Sequence, residues 1–75
     1  MNKVRMAKIK SVMPSVVFAR DAIENALNEE QDYYDNIPEN LLESDRACAS
    51  EEYISILEDV LEELSNAVDN LEEIE

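Results

Sequence analysis

The chain has 75 residues, a formal charge of −13 and a pI near 4.1, with no His, Trp or Gly and a single Cys. Missing His excludes imidazole acid–base chemistry and the usual Glu-x-x-His di-metal sites, and Cys48 has no internal disulfide partner. At this length one domain is expected, with a thin core.

Charge is divided sharply along the sequence. Residues 1–20 carry Lys3, Arg5, Lys8, Lys10 and Arg20 and no acid, whereas residues 21–75 carry all nineteen acids and only Arg46. Phosphate binding depends on Lys and Arg, so the acidic body is not expected to bind nucleic acid directly. The basic start lacks the uninterrupted apolar stretch of a signal peptide. No apolar run is long enough for a membrane span. The unpaired cysteine favours a reducing, cytoplasmic compartment.

In chain order, residues 1–13 read as a basic arm or short helix. Met6, Ile9, Val12, Met13, Val16, Ala19, Ile23, Leu27 and Tyr34 form one helical stripe, with Val17 and Phe18 off it. Pro14 interrupts the stripe. Proline inside a helix removes a hydrogen bond and costs about 3 kcal/mol. A break at Ser11–Pro14 is therefore expected, followed by a helix over about 14–35. Residues 36–43 form the connection, where Pro38–Leu42 suit one helical turn with proline at its start. A second helix is expected over about 44–74, capped by Ser44. Its apolar positions, including Ala47, Ile54, Leu57, Leu61, Leu64, Val68 and Leu71, recur every three or four residues.

The fold class is all-α, with residues 14–75 as an antiparallel helical hairpin. If residue i faces residue 80 − i, then Ile23 meets Leu57, Val16 meets Leu64 and Ile9 meets Leu71. The same register puts the basic arm beside Asp69, Glu72, Glu73 and Glu75. Two helices cannot cover apolar faces this broad, and exposed apolar patches mark interaction sites. The hairpin is therefore expected to self-associate into a helical bundle, as a homodimer or higher oligomer. Val16, Ile23, Leu27, Ile54, Leu57, Leu61, Leu64, Val68 and Leu71 are assigned to its interface.

Two candidate sites stand out. Glu58, Asp59, Glu62, Glu63, Asp69, Glu72 and Glu73 give the second helix an acidic face with no base between Glu51 and Glu75. Carboxylates one turn apart stand about 5–6 Å from each other, a spacing comparable to phosphates along a strand. Such a face attracts basic protein surfaces over long range. The second candidate is a polar cluster or ligand pocket of Glu30, Tyr33, Tyr34 and Arg46, with a Glu30–Arg46 ion pair expected. No catalytic residue, metal site or cofactor is assigned: no shielded carboxylate pair is evident, and no glycine-centred Ca²⁺ loop is present.

The stretch Asp32-Tyr33-Tyr34-Asp35-Asn36-Ile37-Pro38-Glu39-Asn40-Leu41, followed by Glu43-Ser44-Asp45-Arg46, resembles short acidic proteins of phages, plasmids and bacteria. In these a Tyr-Asp-Asn-x-Pro-Glu-Asn-Leu turn precedes an acidic amphipathic helix. The resemblance covers about residues 24–75 and leaves out the basic arm. It implies a helical hairpin in a mobile-element context of regulators, anti-defence proteins or assembly accessories, and brings no established activity. The leading functional expectation is a non-enzymatic inhibitor or accessory factor whose acidic face engages a nucleic-acid-handling or defence protein. The alternatives are an oligomeric binder or sponge for a signalling nucleotide, with arm cations on phosphate and a tyrosine stacked on base, and a coiled-coil adaptor.

Overall fold

The computed structural model describes residues 1–74. Helix α1 spans Lys3–Asp35 and helix α2 spans Asp45–Glu72, joined through a single 3-10 turn at Glu39–Leu41. The two helices pack against each other as a hairpin, and no strand occurs among the described residues. The molecule is a rod of 59 × 14 × 14 Å with a radius of gyration of 17.3 Å. A compact chain of this length would have a radius near 11 Å.

Helix α1 begins where Asn2 caps it, its side-chain oxygen accepting from the Arg5 N–H at 2.7 Å. The expected break at Ser11–Pro14 is absent: α1 runs unbroken through Pro14, so no separate arm precedes it. Pro14 is exposed, on the side of α1 away from α2. There the Lys10 carbonyl that loses its donor stays open to water. Meanwhile Met6, Ile9 and Met13 are half-buried on the opposite side. Packing thus carries the helix across a residue that local propensity would use to stop it.

No glycine is needed to end α1, and no residue has positive φ among the described residues. Asn36 closes it instead, with its backbone N–H donating to the Asp32 carbonyl at 3.2 Å and its side chain to the same oxygen at 2.7 Å. Pro38 then disfavours helical geometry at Ile37. Helix α2 starts at the expected cap, Ser44, whose hydroxyl accepts from the Ala47 N–H at 3.2 Å.

In heptad terms, Ile9, Val16, Ile23 and Glu30 of α1 occupy one row, and Ser50, Leu57, Leu64 and Leu71 of α2 occupy the facing row. Ile9 and Leu71 border one groove, and Glu30 contacts Ser50, so the register follows the 80 − i rule at both ends. The nine residues assigned to contacts between copies are all in this seam. Ile54 and Val68 are buried and the other seven half-buried within one hairpin. The reason is geometric: a helix uses its central apolar rows on its nearest neighbour, and only flanking rows remain for a further one.

Those flanks are unequal. On one edge α1 carries Met13, Arg20, Leu27 and Tyr34, and α2 carries Ala47, Ile54, Leu61 and Val68. Ala47 and Val68 are essentially inaccessible there. On the other edge α1 offers Val12, Ala19 and Ala26, too short to shield their neighbours. Tyr53 and Ile56 of α2 are accordingly 55% and 50% exposed. Total accessible surface is 5775 Å², against about 4,700 Å² for a typical folded monomer of this mass.

Replacing Pro14 with Ala should restore the missing hydrogen bond without altering packing. Stability is expected to rise by up to about 3 kcal/mol, read as a higher urea midpoint at unchanged slope.

Candidate functional site

The acidic residues of α2 lie where the seam leaves them. Helical phase turns them away from α1, and Glu58, Asp59, Glu62, Glu63, Asp69, Glu72 and Glu73 are all exposed. From Glu58 to Glu73 the ridge extends about 22 Å at 1.5 Å per residue. Among the described residues the one ion pair is Arg20–Asp21 at 3.1 Å, on α1. The ridge carboxylates are therefore not neutralised by cations of the same chain. Spacings within the ridge fall below the roughly 8–10 Å screening length at physiological salt, so neighbouring charges reinforce one another.

The basic start of α1 comes to the same end of the rod as the acidic end of α2. Lys10 and Glu72 line one groove together with Ile9, Met13, Leu71 and Ile74. They do not pair directly, and Glu75 lies outside the described residues. Lys3, Arg5 and Lys8 are exposed, so their field partly offsets the acids without holding any of them in place. Arg20 differs: its half-buried side chain lies along the seam edge and its guanidinium reaches Asp21.

The expected Glu30–Arg46 ion pair does not form. Glu30 accepts instead from the Ser50 hydroxyl at 2.7 Å, and Ser50 is only 2% exposed. The 80 − i rule sets Ser50 opposite Glu30, but only the packed helices show that its buried hydroxyl takes precedence over Arg46. Arg46 lies one turn nearer the connection and is exposed. It borders the same groove as Glu30, Tyr33, Ala49, Ser50 and Tyr53. The arginine lacks contact for a simple reason: a buried hydroxyl without a partner costs more than an exposed guanidinium left in water.

The two tyrosines separate, because consecutive helical residues point about 100° apart. Tyr33 joins Arg46 on the open edge, where Glu29, Asp32, Asn36, Ile37, Pro38, Leu41 and Ser44 extend a shallow groove around the connection. Tyr34 turns to the closed edge and donates its phenol hydrogen to the Glu51 carboxylate. That hydrogen bond, and then the partial desolvation and negative charge of Glu51, raise the Tyr34 pKa above its ordinary 10.0. No sequence pattern singled out this pair, since it joins two different heptad rows. The four residues expected in one cluster thus fall on two sides of the hairpin. Tyr33 and the basic start of α1 also stand at opposite ends of the rod, about 35–40 Å apart along α1. One copy cannot present both to one nucleotide.

Cys48 is exposed on α2. Among the described residues no group of three or more acidic or Cys side chains is arranged to hold a metal ion, and no helix is long and apolar enough to cross a membrane. Comparison with protein-family models, curated proteins and solved structures gives no match.

Two outcomes follow. Ser50→Ala should cost about 1–2 kcal/mol, because it strips Glu30 of its only protein hydrogen bond across the seam, as measured by denaturant unfolding. In a Tyr33→Phe/Tyr53→Phe background, the ultraviolet titration of Tyr34 should have its midpoint above 10, and Glu51→Gln should bring it down. A raised phenol pKa stabilises the fold fully below pH 10, and this contribution is lost as pH climbs through the folded-state value. Stability attributable to this contact should therefore fall only in strongly alkaline solution.

Proposed function

We propose that this protein is a non-enzymatic interaction module. It self-associates through its open apolar edge and engages a basic surface of a nucleic-acid-handling or defence protein through the α2 ridge. The single observation that carries the reading is the ridge itself: seven exposed carboxylates on one helix, turned away from the seam and unpaired with any cation among the described residues. Their spacing of about 5–6 Å suits a groove that otherwise tracks phosphates. Complementary fields of this kind raise association rates by 10–1,000-fold and fall with salt. Regulatory or anti-defence roles suit such a ridge, because occupying a basic groove blocks whatever anion the groove normally holds.

The small-molecule reading needs a second copy to bring the arm cations to a tyrosine, since one hairpin holds the basic start of α1 and Tyr33 at opposite ends and sets only Arg46 beside Tyr33. The ridge needs no such addition, and so carries the preferred proposal.

The test is capture from host extract with the wild-type chain and with a Glu58→Gln/Asp59→Asn/Glu62→Gln/Glu63→Gln variant. Wild type should retain a basic protein that elutes with moderate salt and is competed off by duplex DNA. The variant should lose at least ten-fold in retention while keeping its helical circular dichroism. Undiminished retention by the folded variant would overturn the proposal.

A further inference from the structure

We infer that two copies pair head-to-tail through the open edge, about a two-fold axis passing near Ala19 of α1 and Val60 of α2. This specifies the self-association within the proposed function, and it shares only Glu63 and Glu73 with the acidic ridge.

The hairpin exposes about 1,000 Å² more than a typical monomer of its mass, and a standard stable interface takes about 800 Å² from each partner. The edge contains part of the apolar surface that one copy leaves uncovered: Val12 is 51% exposed, Tyr53 55% and Ile56 50%, whereas Phe18 and Val4 are exposed on the far side of α1. Ala19, Ala26, Val60 and Ala67 are half-buried beside them. Exposed apolar area of this extent marks a contact surface.

The occupant is argued from self-complementarity. With α1 antiparallel to α1 of the second copy and Ala19 meeting its equivalent, Val12 meets Ala26 and Ser15 meets Ala22. Alanines and serines allow close approach over the middle of that seam. At its two ends Lys8 meets Glu29, and Arg5 comes beside Tyr33, both pairs repeated by symmetry. These cations and Glu29 are exposed and without ion pairs in one copy. On α2, Val60 meets Val60 and Tyr53 meets Ala67, a large residue against a small one. Arg46 then reaches the last turn of the second copy's α2, where carbonyls and Glu73 carry negative charge. The one mismatch is Ile56 against Glu63. The hairpin register sets Ala19 opposite residue 61, so both seams share nearly the same midpoint.

Charge along the rod selects head-to-tail over head-to-head. The turn half, residues 21–52, has eleven acids against one base, while residues 1–20 have five bases and no acid. Head-to-head pairing would stack the two acidic turn halves on each other. Head-to-tail pairing puts each beside the basic start of the other copy, as isologous two-fold contacts allow.

The experiment uses the full chain in a Cys48→Ser background. Sedimentation should give a dimer at micromolar concentration. Under mild oxidation Ala19→Cys and Val60→Cys should each form covalent dimers alone, and Phe18→Cys, on the far side of α1, should not. Lys8→Glu should weaken dimerisation severalfold, and adding Glu29→Lys should restore it. Helical circular dichroism of each variant, together with an unchanged unfolding midpoint for Phe18→Cys, separates lost pairing from lost folding. A folded monomer, a mass above dimer, or faster cross-linking in an Ala19→Cys and Val60→Cys mixture than in either alone would overturn the inference. None of these readouts depends on the acidic ridge having a partner.

Discussion

Glu30 and Ser50 form the one polar layer in the row of facing residues that is otherwise Ile9–Leu71, Val16–Leu64 and Ile23–Leu57. Apolar layers of similar size tolerate sliding by a heptad at modest cost. A buried hydroxyl that must find its acceptor does not, because a slip leaves Ser50 against an aliphatic side chain. This layer plays the part that a single polar residue plays in coiled coils, fixing alignment at some expense in stability. Everything placed by the register depends on it, including which apolar rows remain open and which acids meet the basic end.

The seam is also asymmetric, and that asymmetry organises the surface. Long side chains on one edge of α1 close over α2, and Tyr34 adds a hydrogen bond to Glu51 on the same side. Short side chains on the other edge leave a strip that the hairpin cannot cover by itself. A fold of two helices has no third layer to hide it. The closed edge, the open edge and the acidic ridge therefore divide the rod lengthwise into surfaces of different character: a packed edge, an apolar edge left open to water and a row of exposed carboxylates.

Helix electrostatics bear on the same arrangement. Helix α1 has no acid in its first turn and no base in its last, and α2 has no base in its last turn, so three of the four ends oppose the macrodipole. Antiparallel packing sets the positive end of α1 next to the negative end of α2, which relieves part of the cost. The charges stay exposed rather than locked into pairs, which keeps their field available to other molecules.

Much of this was legible in the residues. The apolar period fixed two helices, Ser44 announced the start of α2, Asn36 and Pro38 located the turn, and the facing of equal stripes predicted the register. The exposure of the α2 acids followed from their phase relative to that stripe. These features depend on local backbone preferences and periodicity, which neighbours in sequence determine. The uninterrupted passage of α1 through Pro14 was different, since it depends on packing beyond the proline. So was the choice of Ser50 over Arg46 as the partner of Glu30, which compares a buried donor with a solvated one. The division of Tyr33 from Tyr34, and the discovery that one edge is closed and the other open, likewise required the helices to be set side by side. Side-chain length on one helix matters only against what stands opposite, and that juxtaposition exists only in three dimensions.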